Sequence, residues 1–125
     1  SISLVTPEID GTRFPTRDIL HAEMNISNRY SIDFIVNHHP SKFGGEEESV
    51  GRRNAAMMAL KMLCDSLGKD NIVAMGDFND SPDGPAFGII EGTLVNKGKE
   101  LYEKGEIHGR NKITKIFIRM LSCFT

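Results

Sequence analysis

An aspartate and an asparagine two positions apart close the run IVAMGDFNDSP, residues 72–82, and a histidine pair closes a second apolar run in IVNHHPSKFGG, residues 35–45. Between them, Asp77, Asn79 and His38 could deprotonate or orient a water and hydrogen-bond the oxygens of an anion, while Ser41 and Lys42 add a hydroxyl and a cation. This is the equipment for attack by water on an anionic substrate. A D-x-N pair also arises wherever a strand turns into a loop and its side chains bond nearby backbone, and for the motif alone that reading has roughly even weight. A calcium loop does not fit. Starting it at Asp77 puts Pro82 where the turn needs glycine and Gly88 where it needs glutamate; starting at Asn79 restores Gly84 but ends on Ile90.

The elements that must position these side chains can be read from the flanking pattern. Ile72–Met75, bounded by Asp70-Asn71 and Gly76, reads as a buried strand, too short for a helix. If the extended conformation persists, alternation points Asp77 and Asn79 the same way, before Pro82 and its turn-forming neighbours end the strand. Tyr30–Val36 is a second strand, with Ile32, Phe34 and Val36 on one face and Ile35 on the other, as in a strand covered on both sides. Its phase sends His38 and His39 to opposite faces, so they do not chelate one metal together. Between the strands, PSKFGG and Glu46-Glu47-Glu48 lead to Ser49 as N-cap of a helix from about Val50 to Leu67, stopped by Gly68. Its buried stripe is Ala56, Leu60, Leu63 and Leu67, and one turn earlier the same face carries Arg53, a charge that needs a partner. Structural pairing is about twice as expected there as substrate contact. Strand, crossover helix and strand form a β-α-β unit with parallel strands, which brings His38, Asp77 and Asn79 to one sheet edge.

The rest of the chain bounds the possibilities. Ile2–Val5 reads as a strand, Pro7–Pro15 as a loop, and Arg17–Ile26 as a strand joined to Tyr30–Val36 by a turn at Asn28-Arg29. The 125 residues make at most one domain, and a net charge of −2 leaves any nucleic-acid affinity to a local patch. Cys64 and Cys123 are isolated thiols without metal or disulfide spacing, and the sequon Asn25-Ile26-Ser27 sits beside a strand, so it carries little weight. With no leader-like start and no apolar run near the ~18 residues of a membrane span, a soluble chain is expected; a native leader could still lie upstream.

The run VNHHPSKFGG, the Ser-x-x-Arg-Arg helix start and GDFNDSP together resemble the later half of the endonuclease/exonuclease/phosphatase superfamily, the DNase I-like fold, over about Arg17 to Asn96. The resemblance implies an α/β chain forming part of a four-layer α-β-β-α sandwich. It also implies phosphodiester or phosphomonoester hydrolysis dependent on Mg2+ or Mn2+. Carried onto this sequence, His38 contacts phosphate, Asp77 assists the nucleophilic water, and Asn79 contacts phosphate or metal. Asp77 and Asn79 are the implied metal ligands, and Arg53, Ser41, Lys42 and Arg17 the implied substrate contacts. Nucleic acid is the first substrate class, ahead of inositol phosphates and phospholipid head groups.

Two features depart from that pattern. The superfamily's metal-binding glutamate belongs to the half of the domain this chain lacks, and its terminal Asp-His pair has no counterpart, since Ile107 precedes His108. Residues 1–106 therefore read as a partial domain and 107–125 as an atypical tail, the product of truncation or a shifted frame. Ile113, Ile116, Phe117, Met120 and Leu121 fall there at helical spacing, with Lys112, Lys115 and Arg119 interleaved, as in a packing helix or a basic amphipathic anchor. Two classes of function follow: a metal-dependent phosphoester hydrolase, most simply endonuclease-like, or a non-catalytic module that keeps the fold and binds phosphate or a partner.

Overall fold

A computed structural model describes residues 1–68 and 71–105, and the backbone of 115–119. A six-stranded sheet is its centre. The strands are β1 (Ile2–Val5), β4 (Ile19–Asn25), β5 (Ser31–His38), β6 (Ile72–Asp77), β7 (Val95–Asn96) and β8 (Lys115–Arg119); β2 (Glu8–Ile9) and β3 (Thr12–Arg13) form a separate small hairpin. Strand order is β1-β4-β5-β6-β8-β7, antiparallel except for the β5–β6 pair, which the crossover helix α1 (Glu46–Leu67) makes parallel. A 3-10 helix, Pro85–Ile90, and a short helix α2, Lys97–Glu103, follow β6.

The core lies on one face of this sheet only. Ile19, Ile35, Ile72 and Ala74 point from the strands toward Met57, Leu60 and Cys64 of α1, and Phe78, Phe87, Ile90 and Leu94 close the end of that layer. The same face carries a buried polar pair: His21 Nε2 lies 2.7 Å from Oδ1 of the fully buried Asp33, tying β4 to β5. The opposite face corrects the expectation of a strand covered on both sides. Val36 is 40 % exposed, because both α1 and the 3-10 helix pack on the Ile35 side.

Three further expectations are revised. The helix begins at Glu46, with Gly45 as N-cap and no side-chain cap; Ser49 lies inside the first turn, where its hydroxyl donates to the Gly45 carbonyl at 2.7 Å. Gly44 and Gly45, both at positive φ, turn the chain so tightly that the helix starts earlier than a serine cap implies. Helix α1 does end as read, at Gly68 in the left-handed conformation. Leu63 and Leu67 only partly join the core, with Met57 and Cys64 buried instead. Finally, Lys115–Arg119 is a strand paired with β6, not part of a helix: the free edge of β6 offers a full ladder of hydrogen bonds, which outweighs a short helical spacing. Ile113, Met120 and Leu121, with Lys112, His108 and Cys123, lie outside the described residues.

Candidate active site

Parallel pairing sets His38 directly beside Asp77 at the carboxyl ends of β5 and β6. The approach is unusually close because position 76 is glycine: a Cβ there would sit 1.9 Å from the Asn37 carbonyl oxygen, and its φ of 135° is one that L side chains rarely adopt. His38 Nε2 and Asp77 Oδ2 are 3.9 Å apart, both partly open to solvent. That gap leaves room at a strand edge for an oxygen of a ligand held by both.

Behind them stands a buried scaffold. Asn37 donates from Nδ2 to the carbonyls of Ile35 and Met75, each at 3.2 Å, and its Oδ1 lies 3.1 Å from His39 Nε2. His39 itself is buried, packed edge-on against Phe78 with ring centroids 4.7 Å apart. As the strand phase requires, His38 faces out while His39 faces in. The reading of Asn79 by alternation is corrected, however, because the strand ends at Asp77 and Asn79 has a φ of 50°. Asparagine tolerates this left-handed conformation. Its backbone N–H donates to Asp77 Oδ1 at 2.9 Å, and its side-chain amide donates to the His39 carbonyl at 2.7 Å. The local bonds of an ordinary strand-to-turn motif are thus present, and they use Asp77 Oδ1 and Asn79 Nδ2. Asp77 Oδ2 remains on the His38 side.

The loop residues named from the sequence form a second network. Lys42 Nζ bridges Glu46 at 3.0 Å and Asp80 at 3.2 Å, so it joins the β5–α1 loop to the loop after β6. The bond to Glu46 raises the Lys42 pKa above its usual range, slight burial opposes this, and Asp80 adds to it. The same bond lowers the Glu46 carboxyl, with Arg53 contributing. Asp80 also accepts from the Ser81 N–H at 2.8 Å and packs so closely on Gly84 that no Cβ fits there. Arg53 is 1 % exposed and donates to Ser49 Oγ at 2.6 Å, Glu46 Oε1 at 2.7 Å and the Ser41 carbonyl at 3.4 Å. The structure therefore shows Arg53 pinning the loop from inside, and Ser41 engaged through its carbonyl to Arg53 and through its hydroxyl, which accepts from the Phe43 N–H at 3.3 Å. Arg17 is exposed just before β4, whose start pairs alongside the end of β5.

The donors present do not by themselves make a divalent-metal site. Asp77 supplies one carboxylate and Asn79 one amide oxygen, and no group of three His, Cys, Asp or Glu able to hold a metal occurs among the described residues. A hard cation needs about six oxygens, and this set falls well short.

The profile of the Endonuclease/Exonuclease/phosphatase family matches residues 1–113. This chain belongs to that family. The match runs through the whole β-α-β unit and its polar edge. The catalytic domain of human Nocturnin, solved with a bound sulfate anion, superposes with a TM-score of 0.69 at 14 % sequence identity, over 94 % of this chain and 46 % of that one. At that identity the likeness is one of fold, mixed α/β of the DNase I-like kind, and the chain spans under half of the Nocturnin domain. No curated protein sequence matches. Members of the family are phosphoester-cleaving enzymes that generally depend on a divalent metal. The residues that sequence reasoning missed are Asn37, His39 and Asp80. All three act on the site from behind, and only the buried phase of β5 pointed toward the first two.

Proposed function

We propose that this chain supplies the phosphate-engaging edge of a phosphodiester or phosphomonoester hydrolase in its family, most simply endonuclease-like, with nucleic acid as the substrate class. The observation that carries this reading is the exposed His38–Asp77 pair, 3.9 Å apart across parallel strand ends. Asp77 Oδ2 takes a proton from water as the water oxygen forms its bond to phosphorus. The bond from phosphorus to the leaving oxygen breaks, and His38 hydrogen-bonds a phosphoryl oxygen or gives a proton to the departing one. Asn79 is held in the turn beside them by its bonds to Asp77 and to the His39 carbonyl. The family's Mg2+ or Mn2+ would supply charge screening, but Asp77 and Asn79 meet its needs only in part, so no step here runs through it. The sulfate named with the Nocturnin domain is an anion of phosphate's shape and is compatible with this assignment.

A second reading, a phosphate- or partner-binding module without turnover, is favoured by the short metal donor set among the described residues. The test separates the two. Titration of the isolated chain with inorganic phosphate or a dinucleotide should shift the His38 ring resonances, and Asp77→Asn should alter that response. Hydrolysis of a chromogenic phosphodiester in Mg2+ should be slow or absent, and any turnover should fall about 100-fold or more in Asp77→Asn. His38 resonances indifferent to phosphate, or turnover untouched by the substitution, would reject the site.

A further inference from the structure

Three neighbouring strands set a serine, a histidine and an aspartate in a row on the sheet face that packs against α1. Ser3 of β1 pairs with His21 of β4, and His21 pairs with Ile35 of β5, two positions from Asp33. Ser3 Oγ lies 3.4 Å from His21 Nδ1, and His21 Nε2 lies 2.7 Å from Asp33 Oδ1. Burial is graded along the row: Asp33 is enclosed, His21 is 12 % exposed and Ser3 is open to solvent. A carboxylate only accepts hydrogen bonds, so Nε2 carries the proton of the neutral imidazole and Nδ1 turns its lone pair toward the Ser3 hydroxyl. This is the arrangement of an activated nucleophile, a hydroxyl within reach of a base whose tautomer is fixed by a buried acid. The two ring nitrogens stand in exchanged places relative to the usual Ser-His-Asp triad, which leaves their roles intact. A gap of 3.4 Å is ordinary for such a contact before substrate arrives. His38 and Asp77 point to the opposite face, so the row is separate from the phosphate edge.

We propose that Ser3 is a nucleophile toward carboxylic esters with an apolar acyl chain. The acyl preference follows from the groove beside it. Val5, two positions on and on the same face of β1, lines a groove of about 520 Å3 together with Met58, Ala59, Met62 and Leu63 of α1. Apolar walls suit a hydrocarbon chain, and flexible methionines adapt to its shape. In the reaction, Ser3 Oγ forms a bond to the ester carbonyl carbon as its proton passes to His21 Nδ1. The bond from that carbon to the alcohol oxygen breaks, and the departing oxygen takes the proton from Nδ1. Water, deprotonated by the same nitrogen, then attacks the acyl carbon and releases a carboxylic acid, and the proton returns to Ser3. Asp33 is a positioning residue: it acts through His21, holding the tautomer and stabilising the imidazolium that forms.

Three measurements on the 125-residue chain at about pH 8, where an ordinary histidine is neutral, test this. Release of p-nitrophenol should be about tenfold or more faster from p-nitrophenyl octanoate than from the acetate. An alkyl fluorophosphonate, which bonds its phosphorus to a nucleophilic serine oxygen as fluoride leaves, should add one group per chain, mapped by peptide mass to Ser3. Nitrogen-15 spectra should show His21 protonated on Nε2. Ser3→Ala, at an exposed position, should abolish both the release and the adduct with unchanged far-UV circular dichroism. Asp33→Asn should slow release about 100-fold or more and move the His21 proton to Nδ1, because an amide can donate to Nε2. A parent His21 protonated on Nδ1, release that survives Ser3→Ala, an adduct elsewhere than Ser3 or none at all, or acetate cleaved as fast as octanoate would overturn the proposal.

Discussion

Gly76→Ala tests whether the site depends on how closely β6 approaches β5. An alanine Cβ would lie 1.9 Å from Asn37 O and 2.8 Å from Asn37 C and N, all main-chain atoms in the centre of a sheet. They cannot swing aside as a flexible side chain could. Holding alanine at a φ of 135° adds strain of about 1–3 kcal/mol, and forcing the strands apart adds about 1–3 kcal/mol more. Against a total stability of about 5–15 kcal/mol, a loss of about 2–6 is severe. Urea unfolding followed by circular dichroism should show the midpoint falling by about 1–3 M, given a typical dependence of about 1–3 kcal/mol per M. Gly51→Ala is the matched control. That position is exposed, helical and open, with nothing within 4 Å of a Cβ, so alanine should stabilise by about 0.5–1 kcal/mol. A Gly76→Ala variant within about 1 kcal/mol of the parent would refute the close-approach reasoning.

Two further predictions concern the loop network. Arg53→Met should cost about 1.5–3 kcal/mol through the charged hydrogen bonds lost to Ser49, Glu46 and the Ser41 carbonyl, while leaving the His38 response to phosphate in place; loss of that response in a folded variant would make Arg53 a substrate contact after all. The Lys42–Glu46–Asp80 bridge should hold across neutral pH. Glu46 is lowered from 4.5, so its contribution is present above that value and fades as pH falls through its folded pKa; Lys42 is raised from 10.5, so its contribution is present below that value and is lost only as pH climbs past its folded pKa. The protection of the Ser81 amide, its exchange rate taken relative to an unstructured peptide at the same pH, should therefore fall at both extremes, and Lys42→Met should weaken that dependence.

The β-α-β unit was legible because its signals agree. Apolar runs of strand length flank a helical stripe, and Gly68 closes the helix in the conformation only glycine takes cheaply. Arg53 was legible as a buried cation needing partners, though not which ones, since Glu46, Ser49 and the Ser41 carbonyl are assembled by the turn at Gly44-Gly45. Asn79 was misread for a physical reason: alternation holds only while the chain stays extended, and the aspartate itself ends the extension by accepting the Asn79 N–H. Lys115–Arg119 was misread because Ile116, Phe117 and Ile118 satisfy either period. The choice falls to the unfilled edge of β6, which local sequence does not display.

The main chain of His39 is bonded in both directions: its N–H donates to the Asp77 carbonyl at 2.9 Å, and its carbonyl receives the Asn79 amide at 2.7 Å. Neither strand end can therefore drift without breaking contact with the other. A substitution that weakens the junction would change the fraction of molecules in which the two ends are docked, more than the arrangement within each docked molecule. Because a ligand draws undocked molecules back into the docked state, partial damage should read as a weaker apparent affinity with full amplitude at saturation, the midpoint rising in inverse proportion to the docked fraction.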